Sequence, residues 1–325
     1  NFYKKIILNL MLKKKLLKIS RSIIKIFLPL IFKILIKFKI NRRVISYLQD
    51  RSYFGNQKYD FSDIIRTLLK SEKLIALDVG AQGGFNSDNF FSKKYNIFFE
   101  PILVEPIKSE AKKLNDNKFV IDNALWSSKV KKNIFILDNR LGSSSMFEPD
   151  ADKFDMHDIN INELNNFKVT RTVEVDCDTI DNSLKKLEFK SLDYLKIDTQ
   201  GSELEILKGI GSYRPQLIKI EAHIYSMYKG VPEWNKLVNY LYEMNYLIID
   251  WKGIGKHKSR IPAEMEMIFI PNFNTKEGEK KIKANQEKFI SLLLIFGQLN
   301  ILKLIMKRLK IHMNSLDKFE DLYFN

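Results

Sequence analysis

The sequence predicts a doubly wound α/β fold: a mostly parallel sheet of about seven strands, with helical extensions at both ends. Three observations carry that expectation. Short apolar runs alternate with amphipathic stretches between residues 74 and 271, the rhythm of successive βαβ units. The first run, Leu74-Ile75-Ala76-Leu77, is apolar on both faces, as a strand covered from both sides must be. Gly80, Gly83 and Gly84 follow it at once, where backbone without Cβ can turn sharply and come close to a ligand.

Taken in order, strands are expected at 74–78, 101–105, 118–122, 192–198, 217–222, 246–251 and 265–271. Helical patterns fall at 107–115, 179–188, 202–209 and 233–244. Ser202 and Glu205 have the spacing of a capping box. Glu203 sits in the first helical turn, where the helix dipole favours an acid. Residues 129–176 read as a hairpin and loop, with "NIFILD" and "TRTVEV" as its strands and Ser143–Ser145 as solvated loop. No repeat recurs and no low-complexity linker interrupts the body. The organisation expected is a basic helical extension over 1–50, a central domain over 60–275 and a helical extension over 280–325.

With 325 residues and 45 % hydrophobic content, the chain can fill a core, which excludes disorder throughout. Cys177 is the one cysteine; it excludes an intramolecular disulfide framework and suits a reducing, cytoplasmic compartment. The net charge of +15 invites a nucleic-acid reading, but residues 1–49 hold thirteen Lys and Arg and no acid. The remaining body is close to neutral, so the broad basic footprint of a nucleic-acid-binding domain is missing. On a helix, Lys14, Lys18, Arg21 and Lys25 share one face and Leu12, Leu16, Ile19, Ile23 and Phe27 the other. Such a segment suits the surface of an anionic membrane, or its apolar face packs on the body. It is too interrupted to span: its longest apolar run, Ile26 to Phe32, contains Pro29, against the roughly 20 apolar residues a crossing needs. A peripheral position on the inner face of a membrane is therefore expected.

Open α/β sheets bind ligands beyond the carboxyl ends of their strands. There the sequence places Asp78 with Gly80, Ala81 and Gly84, then Glu105, then Asp122 and Asn123, then Asp198, then Glu221 and His223. The glycines do not have the G-x-G-x-x-G spacing of a dinucleotide site, which disfavours a nicotinamide-dependent oxidoreductase. The pattern D-x-G-A-x-x-G suits S-adenosylmethionine, a cation without phosphate, with Glu105 placed for its ribose hydroxyls. Asp152, Asp155, His157 and Asp158 lie in a polar loop, and no metal is expected there or elsewhere.

The chain resembles the FkbM family of S-adenosylmethionine-dependent methyltransferases over roughly residues 74–271. The resemblance rests on "LDVGAQGGF", "VEP", "NALWS", "GSSSM", "DTIDNSL", "LKIDTQGSELEILKG" and "IYSMYKGVPEW". Gln200 stands where Glu is common in that family, and Gln82 where Asn is common. The resemblance implies a Rossmann-like methyltransferase sheet and O-methylation of a sugar or natural-product hydroxyl. A non-catalytic membrane-associated module keeping this fold is the other reading. A hydroxyl acceptor must lose a proton. His223 is the expected base, because an imidazole titrates near neutrality, with Asp198 orienting it or the acceptor and Glu221 beside it.

Overall fold

A computed structural model describes residues 60–157, 163–252 and 263–311. The basic segment 1–49, Asp158, His257 and His312 lie outside the described residues. Ile65–Leu293 form one compact unit, and of the described residues 60–64 and 294–311 fall in a second.

The first unit is built on a seven-stranded sheet. Its members are β1 (Leu74–Val79), β2 (Phe99–Val104), β3 (Phe119–Ile121), β7 (Tyr194–Ile197), β8 (Leu217–His223), β9 (Tyr246–Lys252) and β10 (Glu264–Pro271). They lie in the order β3-β2-β1-β7-β8-β10-β9. The first five pair in parallel, and β10 runs antiparallel to both its neighbours. The side chains of β1, β7 and β8 are almost wholly buried, which is why these strands read as continuous apolar runs. Chain order reverses between β1 and β7, so the fold's natural ligand crevice opens there.

Three further strands, β4 (Ala124–Leu125), β5 (Val130–Ile136) and β6 (Arg171–Asp178), form a second sheet in the order β4-β6-β5. The antiparallel register of β5 on β6, Val130 opposite Cys177 through Ile136 opposite Arg171, is the expected hairpin. Burial pushes the Cys177 thiol up to about 11, an inert group rather than a nucleophile.

The helices are α1 (Ser62–Leu69), α2 (Lys108–Ala111), α3 (Ile180–Lys186), α4 (Glu203–Lys208), α5 (Trp234–Glu243), α6 (Lys276–Ala284), α7 (Gln286–Ile295) and α8 (Leu299–Leu309). Between β1 and β2 there is no α-helix, only a 3-10 segment, Lys93–Phe98. Phe85, Phe91, Phe99 and Tyr194 pack ring against ring there, with centroids 5.2 to 6.4 Å apart. Large rings bury the area a helix face would otherwise supply. The expected helix at 107–115 is a single α-turn followed by a 3-10 turn.

The first unit runs on through α6 to Leu293. Ile282 and Phe289 are buried, and Lys288 Nζ lies 2.9 Å from Asp193 Oδ2, so this stretch belongs to the body. No helix among the described residues is long and apolar enough to cross a membrane.

Candidate functional site

The parallel registers end at one level. Val79 faces Val104 on one side and Ile197 on the other, so Gly80, Glu105 and Asp198 leave the sheet side by side. Gly80 has φ +82°, and a Cβ on it would stand 1.9 Å from the Asp198 carbonyl oxygen. Only glycine allows β1 and β7 to close to this distance. Beyond these ends opens a cavity of about 300 Å³, within the range of small-molecule sites. Gly80, Glu105 and Asp198 line it, with Lys196, Thr199 and Gln200 from the β7 end. Ser144, Ser145 and Met146 close it from above the second sheet.

Glu105 is buried, and its Oε1 accepts from the Ile107 backbone N–H at 2.8 Å. Oε2 accepts no hydrogen bond from the described residues, which leaves a carboxyl oxygen for a ligand. Burial lifts this carboxyl to about 7, with Glu110 adding to the rise and Ile107 and Lys196 opposing it.

Asp78 does not line the cavity. It lies beneath the floor, with Oδ1 3.0 Å from Lys196 Nζ in an ion pair whose angles fall short of a hydrogen bond. Burial raises Asp78 despite Lys196. Lys196 also donates to the Gly80 carbonyl at 3.2 Å and stands 3.8 Å from Asp198 Oδ2. The charge reaches the cavity through Lys196, which ties both strand-end acids and the glycine turn together. Lys196 looks like an ordinary strand lysine in sequence; its signal was its place in an otherwise apolar strand between two acids.

Ala81 is buried, and its N–H, like that of Gly80, donates to the Val104 carbonyl at 3.1 Å. Gly84, at φ +94°, closes the turn by donating to the Ala81 carbonyl. Both shape the turn without lining the cavity. Asp122 and Asn123 are exposed just past β3; the cavity wall comes instead from their neighbours Ala124 and Leu125.

At the far side, Gln200 joins the remaining acids. Its Nε2 donates to Glu221 Oε2 at 2.8 Å and to Asp198 Oδ1 at 3.2 Å. Its Oε1 lies 3.1 Å from the Tyr228 hydroxyl, which also reaches the Ser143 carbonyl at 2.7 Å. Burial raises Asp198, but Lys196 and Lys219 outweigh it and hold the carboxyl below its ordinary value. Burial and the Asp198 charge push Glu221 well above its own. Of the pair, Asp198 is the readier to ionise and Glu221 the readier to hold a proton.

His223 shares a face of β8 with Glu221 but does not line the cavity. It is buried against Tyr228, with ring centroids 5.6 Å apart, and its Nε2 has no partner. Burial lowers it to about 4, against a smaller opposing effect of Asp198.

Two local expectations need correction. Ser202 and Glu205 form no capping box: Ser202 makes no cap hydrogen bond, while Glu205 bonds Ser127 at 2.8 Å and Lys208. Glu203 does the local work instead, its Oε1 accepting from Thr199 N, Thr199 Oγ1 and Gly201 N, each at 3.0 Å. Nor is Ser143–Ser145 a solvated loop. Ser143 and Ser145 are buried, and Ser145 Oγ donates to the Gln200 carbonyl at 2.7 Å. Asp152, Asp155 and His157 are described, and no group of three potential ligands stands in metal-holding geometry among the described residues.

The sheet order, the glycine turn at its switch point and the acids around one cavity define a methyltransferase of Rossmann-like fold. Residues 78–248 match the Methyltransferase FkbM domain family, and the chain belongs to it. Among solved structures, precorrin-6y C5,15-methyltransferase from Geobacter metallireducens GS-15 is similar, at 11 % identity and a TM-score of 0.30. That likeness covers 64 % of this chain and 86 % of the other. No curated protein matches the chain.

Proposed function

We propose that the enzyme takes the methyl group of S-adenosylmethionine and transfers it to a hydroxyl oxygen of a sugar or a similar polyhydroxylated natural product. The observation that carries this reading is the pair of carboxyl groups on one cavity, Glu105 at the end of β2 and Asp198 at the end of β7. Glu105 fits a ribose diol: it is buried, one oxygen is already fixed by Ile107, and the other is left for the ligand. The glycine turn leaves room for the chain of the donor beside Lys196 and Asp198. When bound, the donor supplies an electrophilic methyl group. The protein's part is to align the acceptor oxygen with it and to take up the hydroxyl proton.

We assign that proton to Asp198 before His223, because Asp198 lines the cavity while His223 is enclosed behind it. Asp198 is ionised and fixed by Gln200, so it can accept a hydrogen bond from the acceptor hydroxyl in the reacting pose. Glu221 holds the Gln200 amide from the other side at 2.8 Å. Radiolabelled methyl transfer to extracted glycans and glycolipids tests this. Asp198→Asn should retain S-adenosylhomocysteine affinity and lose about 10²–10⁴-fold in turnover, the usual share of a base, whereas His223→Asn should stay within a few-fold. The reverse ranking restores His223 as the base. Absence of any labelled hydroxyl product would refute the acceptor class.

The basic segment 1–49 is proposed to hold the enzyme at an anionic membrane surface. Its charge asymmetry supports this. So does α8, which exposes Lys303, Lys307 and Arg308 around a protruding Leu304.

A further inference from the structure

A second cavity lies at the opposite edge of the sheet, where β7 and β8 begin, and the donor reading does not use it. Its volume is about 260 Å³. Lys190 and Asp193 come to it from the approach to β7, Arg214 and Gln216 from the approach to β8, and Lys281 from α6. Charge there is unbalanced. Asp193, the acid of this lining, is spent elsewhere: its Oδ2 accepts from Ile75 N and from Lys288 Nζ, each at 2.9 Å. Lys190, Arg214 and Lys281 form no ion pair among the described residues. Lys281 donates to the Arg214 carbonyl, and Arg214 Nη1 to the Gly211 and Tyr213 carbonyls at 2.8 and 2.9 Å. These bonds fix the two side chains in place with no acid at ion-pair distance among the described residues.

The fourth feature is an orphan acceptor. Gln216 is 3 % exposed, and its Nε2 donates to the Lys281 carbonyl at 3.2 Å, which sets the orientation of the amide. Its Oε1 has no hydrogen-bond partner. A buried acceptor left in this state is costly, and a ligand that brings a donor recovers that cost. Three basic side chains beside one empty acceptor suit an oxyanion that also carries an O–H. Hydrogen phosphate meets both demands. Sulfate has the charge but no hydroxyl at neutral pH. A phosphate monoester, with its second pKa near ~6, has mostly lost its own proton.

We propose that this cleft is a second ligand site, which binds hydrogen phosphate through Lys281, Arg214 and Lys190 while the ligand hydroxyl donates to Gln216 Oε1. Charge-assisted bonds from fixed donors supply the affinity, and Gln216 supplies the discrimination. A proton linkage accompanies it. Burial and the Arg214 charge lower Lys281 to about 7, against Glu277 and Asp193, which act the other way. A bound anion reverses that lowering, so Lys281 gains a proton on binding, while any dihydrogen phosphate in solution gives one up to bind as hydrogen phosphate.

Calorimetry on the full chain with inorganic phosphate, sodium sulfate and methyl phosphate, in two buffers of different ionisation heat, tests the site. Expected are saturable phosphate binding and at least about tenfold weaker binding of the other two anions, the scale of one lost hydrogen bond to a charged group. Lys281→Met should abolish phosphate binding with the fold intact. Arg214→Gln, on the exposed rim, should weaken it, and Gln216→Leu should erase the preference over sulfate. S-adenosylhomocysteine affinity, read in the same variants, should not change. Equal affinity for sulfate and phosphate in the wild type overturns the proposal. So does unchanged phosphate affinity in folded Lys281→Met or in Arg214→Gln, or a wild type that does not saturate with phosphate at all.

Discussion

Glu105 is enclosed at the end of β2, and its carboxyl keeps a proton up to about pH 7. In the unfolded chain the same group titrates near 4.5. The native state therefore holds the extra proton between these values, and stability falls as pH rises through that window, then levels off above it. The loss amounts to no more than about 3 kcal/mol. Urea melts of wild type and Glu105→Gln between pH 4 and 8 should show a steeper fall in the wild type than in the variant. Donor affinity should move the opposite way. The ionised carboxylate accepts from ribose hydroxyls better than the acid does, so S-adenosylhomocysteine should bind more tightly as pH rises from 6 to 8, and Glu105→Gln should flatten that rise. Glu105, Gly80 and Asp198 were legible in sequence because each follows an apolar run directly, and strand ends are where open sheets bind. Lys196 was not, since a lone strand lysine reads as solvent-facing; only the fold sets it between Asp78 and Asp198. The acid at 78 was expected to face the donor, but it lies within β1, and sequence could not show that a lysine stands between it and the cavity.

At the level of elements, the segment from Leu141 to Phe147 covers the cavity, and besides its backbone bridge from Ser145 to Phe135 it is held by two longer-range latches. Ser145 Oγ donates to the Gln200 carbonyl, and the Ser143 carbonyl accepts from Tyr228. Ser145 also receives the Phe147 N–H at 2.9 Å. Ser145→Ala removes one latch and leaves the Gln200 carbonyl to water. Faster amide exchange confined to 141–147 is expected, together with a donor affinity weaker by about 1 kcal/mol, the net worth of one such bond. Unchanged exchange would show that the latch does not hold the segment. The serines were misread because hydroxyl runs flanked by glycine are usually solvated loops, and their partners lie more than fifty residues away (Ser145 to Gln200). Strands and the helices α3, α4 and α5 were legible from periodicity. The helix-free crossover from β1 to β2 was not, because its cover comes from aromatic rings that have no helical spacing.

At the scale of the whole molecule, charge is divided between a near-neutral body and the basic segment 1–49. Sedimentation with anionic vesicles should therefore be strong at low salt for the full chain, fall as salt rises, and be much weaker for residues 46–325, because lysines near a charged leaflet contribute about 1 kcal/mol each and are screened by ions. Equal sedimentation of both forms would separate the charge from the membrane. The order β3-β2-β1-β7-β8-β10-β9 brings acids from β1, β2, β7 and β8 to one edge, and no single stretch of sequence displays that convergence. The claim that this edge is the donor site is tested most directly by calorimetry with S-adenosylhomocysteine on wild type and Glu105→Ala, with NAD as the comparison ligand. Saturable one-to-one binding to the wild type is expected, with none to NAD and a loss of about 1–3 kcal/mol in folded Glu105→Ala. No binding to the folded wild type, or the same affinity in Glu105→Ala, would contradict it.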